Sequence, residues 1–66
     1  MTVRVNGASH EVQPGTTLQQ LLESLGIRRE GVAVAVRRQV VPRGEHARHE
    51  LRDGDEIEVL RAVGGG

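Results

Sequence analysis

His46 and His49 stand three residues apart, a spacing that puts two imidazoles on one face if the segment turns helical. A zinc site needs three or four converging ligands, and the chain has no cysteine to complete one, so no metal site is expected. His10 falls in an alternating stretch and reads as a half-buried strand residue. Nothing resembles a nucleophile–base pair, a phosphate loop or a paired acid site, so the chain is not expected to be an enzyme. What remains is the end of the sequence, Val63-Gly64-Gly65-Gly66. Three successive glycines add backbone entropy and no packing, so they are not expected to stabilise a strand. They read as a slender, flexible peg, able to enter a channel too narrow for side chains, with the carboxylate of Gly66 as its functional group. A frayed terminus is the plain alternative. Against it stands the position of the run, which begins abruptly where an apolar strand stops. Arg61, just before it, is placed to steer a phosphate or an acidic partner groove, or is ordinary surface charge.

Composition closes off other classes. The chain has 66 residues, nine arginines against nine acids, and no aromatic residue. Zero net charge argues against nucleic acid as the main partner, and the missing aromatics remove any stacking platform for bases. No apolar run approaches the ~20 residues that cross a bilayer, and the start lacks a signal peptide's apolar stretch. A cytoplasmic location is therefore expected. Without disulfides, a domain this small depends on aliphatic packing. Charge is unevenly spread: residues 28–48 carry six arginines against Glu30 and Glu45, a local +4. Residues 49–58 carry five acids against Arg52, a local −4. These segments read as solvated faces, or as a dipolar layout that orients a partner.

The elements that must position the tail follow from patterning. Residues 2–6 alternate, with Val3 and Val5 on one face, and Asn6-Gly7 is a hairpin turn whose positions tolerate positive φ. The return strand is expected over 9–13, stopped by Pro14-Gly15. Thr16 and Thr17 each have a glutamine three residues on, the capping-box arrangement. Leu18, Leu21, Leu22 and Leu25 form one helical stripe ended by Gly26. A strand is expected over 31–36, with its three valines facing the helix and Ala33 and Ala35 facing away. After a tight connection at 37–39, Val40 and Val41 form a short strand stopped by Pro42. Residues 43–50 read as loop with a turn of helix, Leu51 as a lone anchor, and Asp53-Gly54-Asp55 as a turn. The last strand spans 56–63, with Ile57 and Val59 inward, Leu60 and Ala62 outward, and a central place in the sheet. This order predicts an α+β roll, a mixed sheet of four to five strands with one main helix on one face. Residues 1–63 form the domain and 64–66 its tail. Ala33, Ala35, Leu60 and Ala62 then make a small apolar patch on the face away from the helix, a candidate docking surface with Arg61 beside it.

Taken in order, these segments resemble the ThiS-type sulfur carrier proteins, which have a ubiquitin-like β-grasp fold. The resemblance rests on Val5-Asn6-Gly7, the T-L-x-x-L-L-x-x-L helix from Thr17, V-A-V at 32–34, V-V-P-R at 40–43, L-x-D-G-D-x-I-E at 51–58 and the closing A-V-G-G-G. It implies a carrier that binds no cofactor. A ThiF-like adenylyltransferase uses ATP to adenylate the carboxylate of Gly66, with Gly64 and Gly65 threading into that enzyme. A persulfide sulfur, ultimately from a cysteine desulfurase, replaces AMP to leave a thiocarboxylate. Thiazole synthase (ThiG-like) then takes the sulfur for thiamine. Two positions depart from the pattern. Arg37-Arg38-Gln39 stands where relatives often have an asparagine, and His46 stands near a frequent aromatic. Other readings stay open: a carrier for molybdopterin synthase, for cysteine or for tRNA thiolation, or a ubiquitin-like protein modifier.

Overall fold

The computed structural model describes residues 1–28 and 30–61. Strands β1 (Thr2–Val5) and β2 (Ala8–Glu11) are followed by helix α1 (Leu18–Ser24). Strands β3 (Val32–Val36) and β4 (Gln39–Val40), a 3-10 turn at Arg43–Glu45 and strand β5 (Glu56–Arg61) complete the order. One mixed sheet runs β2-β1-β5-β3-β4. The β1–β5 pair is parallel and the other three pairs are antiparallel. The last strand is thus central, and the fold is the α+β roll expected from the patterning, in the ubiquitin-like β-grasp form that the resemblance implies. Among the described residues no helix is long and apolar enough to cross a membrane.

Elements are shorter than the patterning suggests, for local reasons. The turn Asn6-Gly7 has positive φ at both residues, so β2 begins at Ala8, opposite Val5, and ends at Glu11 rather than at residue 13. The helix starts one threonine later than its first possible cap. Thr17 accepts from the Gln20 amide and its own amide donates to the Gln20 side chain, while Thr16 Oγ1 donates instead to the Gln13 carbonyl. All four leading amides of α1 are satisfied. Leu18 and Gln19 donate to the carbonyls of His49 and His46, Gln20 to the Thr17 hydroxyl, and Leu21 to the Thr17 carbonyl. The 43–50 segment is therefore a strap over the helix start, reinforced by Leu51 N–H donating to the Thr16 carbonyl. At the other end Gly26, at φ 71°, turns the chain out of the helix.

The core is aliphatic: Val3, Val5, Leu18, Leu21, Leu22, Val34, Val36, Val41, Leu51 and Ile57 are buried together. Of the helix stripe, Leu25 is only half-buried, because it caps the helix where the chain turns away. Val32, expected inward, is also half-buried, at the sheet's open end. Within the acidic segment Asp55 departs from a solvated face. It is 3% exposed, accepts from the Arg52 amide and lies 3.6 Å from Arg37 Nε.

The β3–β4 hairpin carries a local conflict. Arg37 and Arg38 both sit at positive φ, 51° and 67°, where a side chain with a Cβ is strained by about 1–2 kcal/mol. Arg37 is held there by its backbone N–H, which donates to the Glu56 carbonyl, and by the ion pair of its side chain with Asp55. Arg38 is exposed, so Arg38→Gly is expected to relieve the strain at little cost. The net gain is about 0.5–1 kcal/mol after the glycine's added unfolded-state entropy, a rise in Tm of roughly 2–6 °C in thermal unfolding.

Candidate functional site

Strand β5 determines where any group beyond Arg61 is presented, and it is held on both edges. On one side β3 pairs along its whole length, from Val36 opposite Ile57 to Val32 opposite Arg61. On the other side β1 pairs only as far as Val5 opposite Ile57. There the Asn6 side chain takes over: Val59 N–H donates to Asn6 Oδ1 at 2.9 Å, and Asn6 Nδ2 donates to the Val59 carbonyl at 3.3 Å. A carboxamide carries the same donor and acceptor as a peptide group, so Asn6 extends the ladder by one further step. The patterning identified Asn6 as a turn residue but not as this clamp.

The register separates the docking candidates. Ala33 lies opposite Leu60, and Ala35 lies opposite both Glu58 and Val40. Directly opposed residues share a face, so Ala33, Ala35, Leu60 and Val40 form one outward patch, away from α1. Leu60 is 65% exposed and Val40 71%; Ala33 is exposed and Ala35 half-buried. Val40 was not among the expected patch residues, because only the hairpin register places it there. Glu56 and Glu58 extend the same face of β5 away from Leu60, with Arg4 opposite Glu56. Arg61 does not belong to this face. It alternates with Ile57 and Val59 and lies opposite Val32, which puts it on the helix side of the sheet. There, with Arg28, it borders an open cleft at the sheet's end. Ala62 and the tail glycines Gly64, Gly65 and Gly66 lie outside the described residues.

The histidines do not form a shared face. His46 is 2% exposed, and its Nε2 lies 3.0 Å from the Val41 carbonyl. A carbonyl only accepts, so Nε2 carries the hydrogen, and the buried Nδ1 has no partner among the described residues. His46 is a buried residue whose ring ties the 43–50 strap back to Val41, while His49 is half-buried and serves through its backbone carbonyl. His10 is half-buried on β2, as the alternation suggests. Among the described residues no three His, Cys, Asp or Glu side chains gather as a metal site.

Comparison with known proteins agrees with this architecture. The model of the ThiS family matches residues 3–66. The sulfur carrier protein ThiS of Escherichia coli is 36% identical over the whole of both chains. A thiazole synthase of Magnetococcus marinus is 42% identical over all 66 residues, which span only a fifth of that protein's length. A thiazole synthase of Paramagnetospirillum magneticum matches in the same way at 32% identity, again over a fifth of its length. The crystal structure of the thiamine biosynthesis protein ThiS from Geobacter metallireducens superposes with a TM-score of 0.86 at 30% identity, each chain fully covered. With the family model matched almost end to end on a β-grasp sheet whose central strand leads into the glycine run, the chain belongs to the ThiS family.

Proposed function

We propose that this chain is a sulfur carrier for the thiazole part of thiamine, a co-substrate rather than an enzyme. Residues 1–63 serve as the handle and 64–66 as the working segment. The carboxylate of Gly66 attacks the α-phosphorus of ATP in a ThiF-like adenylyltransferase, and pyrophosphate leaves. A carboxylate is a poor electrophile, and the acyl-adenylate removes its charge and supplies AMP as leaving group. A persulfide sulfur, supplied by a cysteine desulfurase, attacks the acyl carbon and expels AMP. A second thiol then attacks the donor-side sulfur of the resulting acyl disulfide, forms a disulfide with it and releases a thiocarboxylate on Gly66 for thiazole synthase. The protein supplies no base or nucleophile to these steps; it supplies Gly66, with Gly64 and Gly65 slim enough to thread a channel. Since ATP and the sulfur donor are cytoplasmic, so is the carrier. The observation that carries the reading is that two thiazole synthases contain a segment matching this whole chain. The test is intact-mass measurement after incubation with activating enzyme, ATP and sulfur donor. One sulfur-for-oxygen exchange at Gly66 is expected, together with rescue of a thiamine auxotroph. Rescue of a molybdenum-cofactor mutant instead, or reductant-resistant adducts with other proteins, would overturn it.

Ala33, Ala35 and Leu60, joined by Val40, are the docking surface in this reading. Leu60→Arg alters an exposed position and is expected to change stability by less than about 0.5 kcal/mol. It should lower kcat/KM for adenylation roughly tenfold or more, because a charge then enters the apolar centre of the contact. Undiminished adenylation of the folded variant would remove this face from the account.

A further inference from the structure

Residues of the α1–β3 connection and the end of β5 border an open cleft of about 380 Å³, lined by Gly26, Arg28, Glu30, Gly31, Val32 and Arg61. Its construction follows from the fold. Ile27 N–H donates to the Leu22 carbonyl and its side chain packs against the core, which tacks the loop down and leaves Arg28 exposed at its rim. Gly31, at φ 72°, turns the loop into β3, and a Cβ there would meet nothing within 4 Å. The pairing of Val32 with Arg61 brings the second guanidinium to the same rim on the helix side of the sheet. Neither arginine, nor Glu30, is drawn into an ion pair with another described residue. Among the described lining residues two guanidiniums stand against one carboxylate, an excess of positive charge, and Val32 supplies apolar surface.

We infer that this cleft is a binding site for a small oxyanion, a phosphate group or a carboxylate, held by Arg28 and Arg61. Guanidinium forks match both groups in a bidentate way, and two arginines on separate elements, neither in an ion pair with another described residue, line the same cleft. Glu30 opposes the anion and limits its affinity. Two sources of that chemistry lie at hand: a phosphate free in solution or on a small molecule, and the carboxylate of Gly66, five residues beyond Arg61. The site does not depend on sulfur transfer, so the inference and the proposed function fail separately. Loss of thiocarboxylate formation with phosphate binding intact would sink only the latter.

The test titrates inorganic phosphate into the full chain while following the arginine Nε–Hε resonances. Saturable shifts confined to Arg28 and Arg61 are expected. Arg28→Gln and Arg61→Gln should each weaken binding fivefold or more, Glu30→Gln should tighten it severalfold, and Arg48→Gln should leave it unchanged. The same titration on protein carrying a C-terminal carboxamide separates the sources. If amidation shifts Arg28 and Arg61 and tightens phosphate binding, the site holds the chain's own carboxylate. If amidation changes nothing while phosphate still saturates, the source is phosphate. Non-saturating shifts spread over all arginines, or equal loss in Arg48→Gln, would overturn the site.

Discussion

Deleting Gly65 and Gly66 is expected to abolish thiocarboxylate formation completely while leaving thermal stability unchanged within about 2 °C. The two halves of that expectation rest on different observations. The buried core lies wholly between Val3 and Ile57, and the last described ladder pair is Val32 with Arg61. No core residue or described pairing is therefore lost, and changes away from such features are usually within about 0.5 kcal/mol. The chemical loss, by contrast, is positional. A shortened chain ending on Gly64 still has a carboxylate, but one two residues, roughly 7 Å, short of the reach that a threading peg provides. A misplacement of only about 1 Å already costs on the order of a hundredfold in a positioned reaction. The measurement is intact mass after incubation with activating enzyme, ATP and sulfur donor, beside a melting curve of the same sample. A deleted chain that still gains sulfur would show that the working group is elsewhere. A deleted chain that melts much earlier would show that the glycines belong to the fold.

Much of the fold was legible in the residues, because it rests on local rules. The leucine stripe, the capping box at Thr17 and Gln20, and the turns at Asn6-Gly7 and Asp53-Gly54 depend on neighbours a few positions apart. Cross-chain relations were not legible in that way. Asp55 stands in a run of acids that reads as a solvated face, yet its partner Arg37 lies 18 positions away and takes it out of water. His46 stands in a polar loop beside His49, and only the strap over the helix start turns it inward to the Val41 carbonyl. Arg61 and Leu60 are adjacent, and the pleat sends these two docking candidates to opposite faces of the sheet. Val40 joined the outward patch because the hairpin register sets it against Ala35. In each case the deciding quantity is register, which depends on how two distant segments meet.

Asn6 concentrates that dependence in one side chain, and Asn6→Ala is expected to destabilise the domain by about 2–3 kcal/mol. Two costs combine. Asn6 sits at φ 50°, a region that asparagine tolerates and alanine pays for by about 1 kcal/mol. The substitution also removes both bonds to Val59, each worth about 0.5–1.5 kcal/mol net. A domain of this size has a total stability of only roughly 3–10 kcal/mol, so the loss is a large fraction of it. Two further variants apportion it. Asn6→Gly keeps the backbone conformation and loses only the clamp, for about 1–2 kcal/mol. Asn6→Asp keeps the acceptor for Val59 N–H but sets a carboxylate oxygen against the Val59 carbonyl, for about 1 kcal/mol. Urea midpoints should therefore fall least for Asp, then Gly, then Ala. Amide exchange at Val59 gives a second, local readout. It should accelerate in Asn6→Gly and Asn6→Ala beyond what global stability explains, and stay protected in Asn6→Asp. Equal loss in all three variants, with no local effect at Val59, would make Asn6 an ordinary turn residue. An effect confined to Val59 and its neighbours would instead show that Asn6 steadies β5 locally, two residues before Arg61.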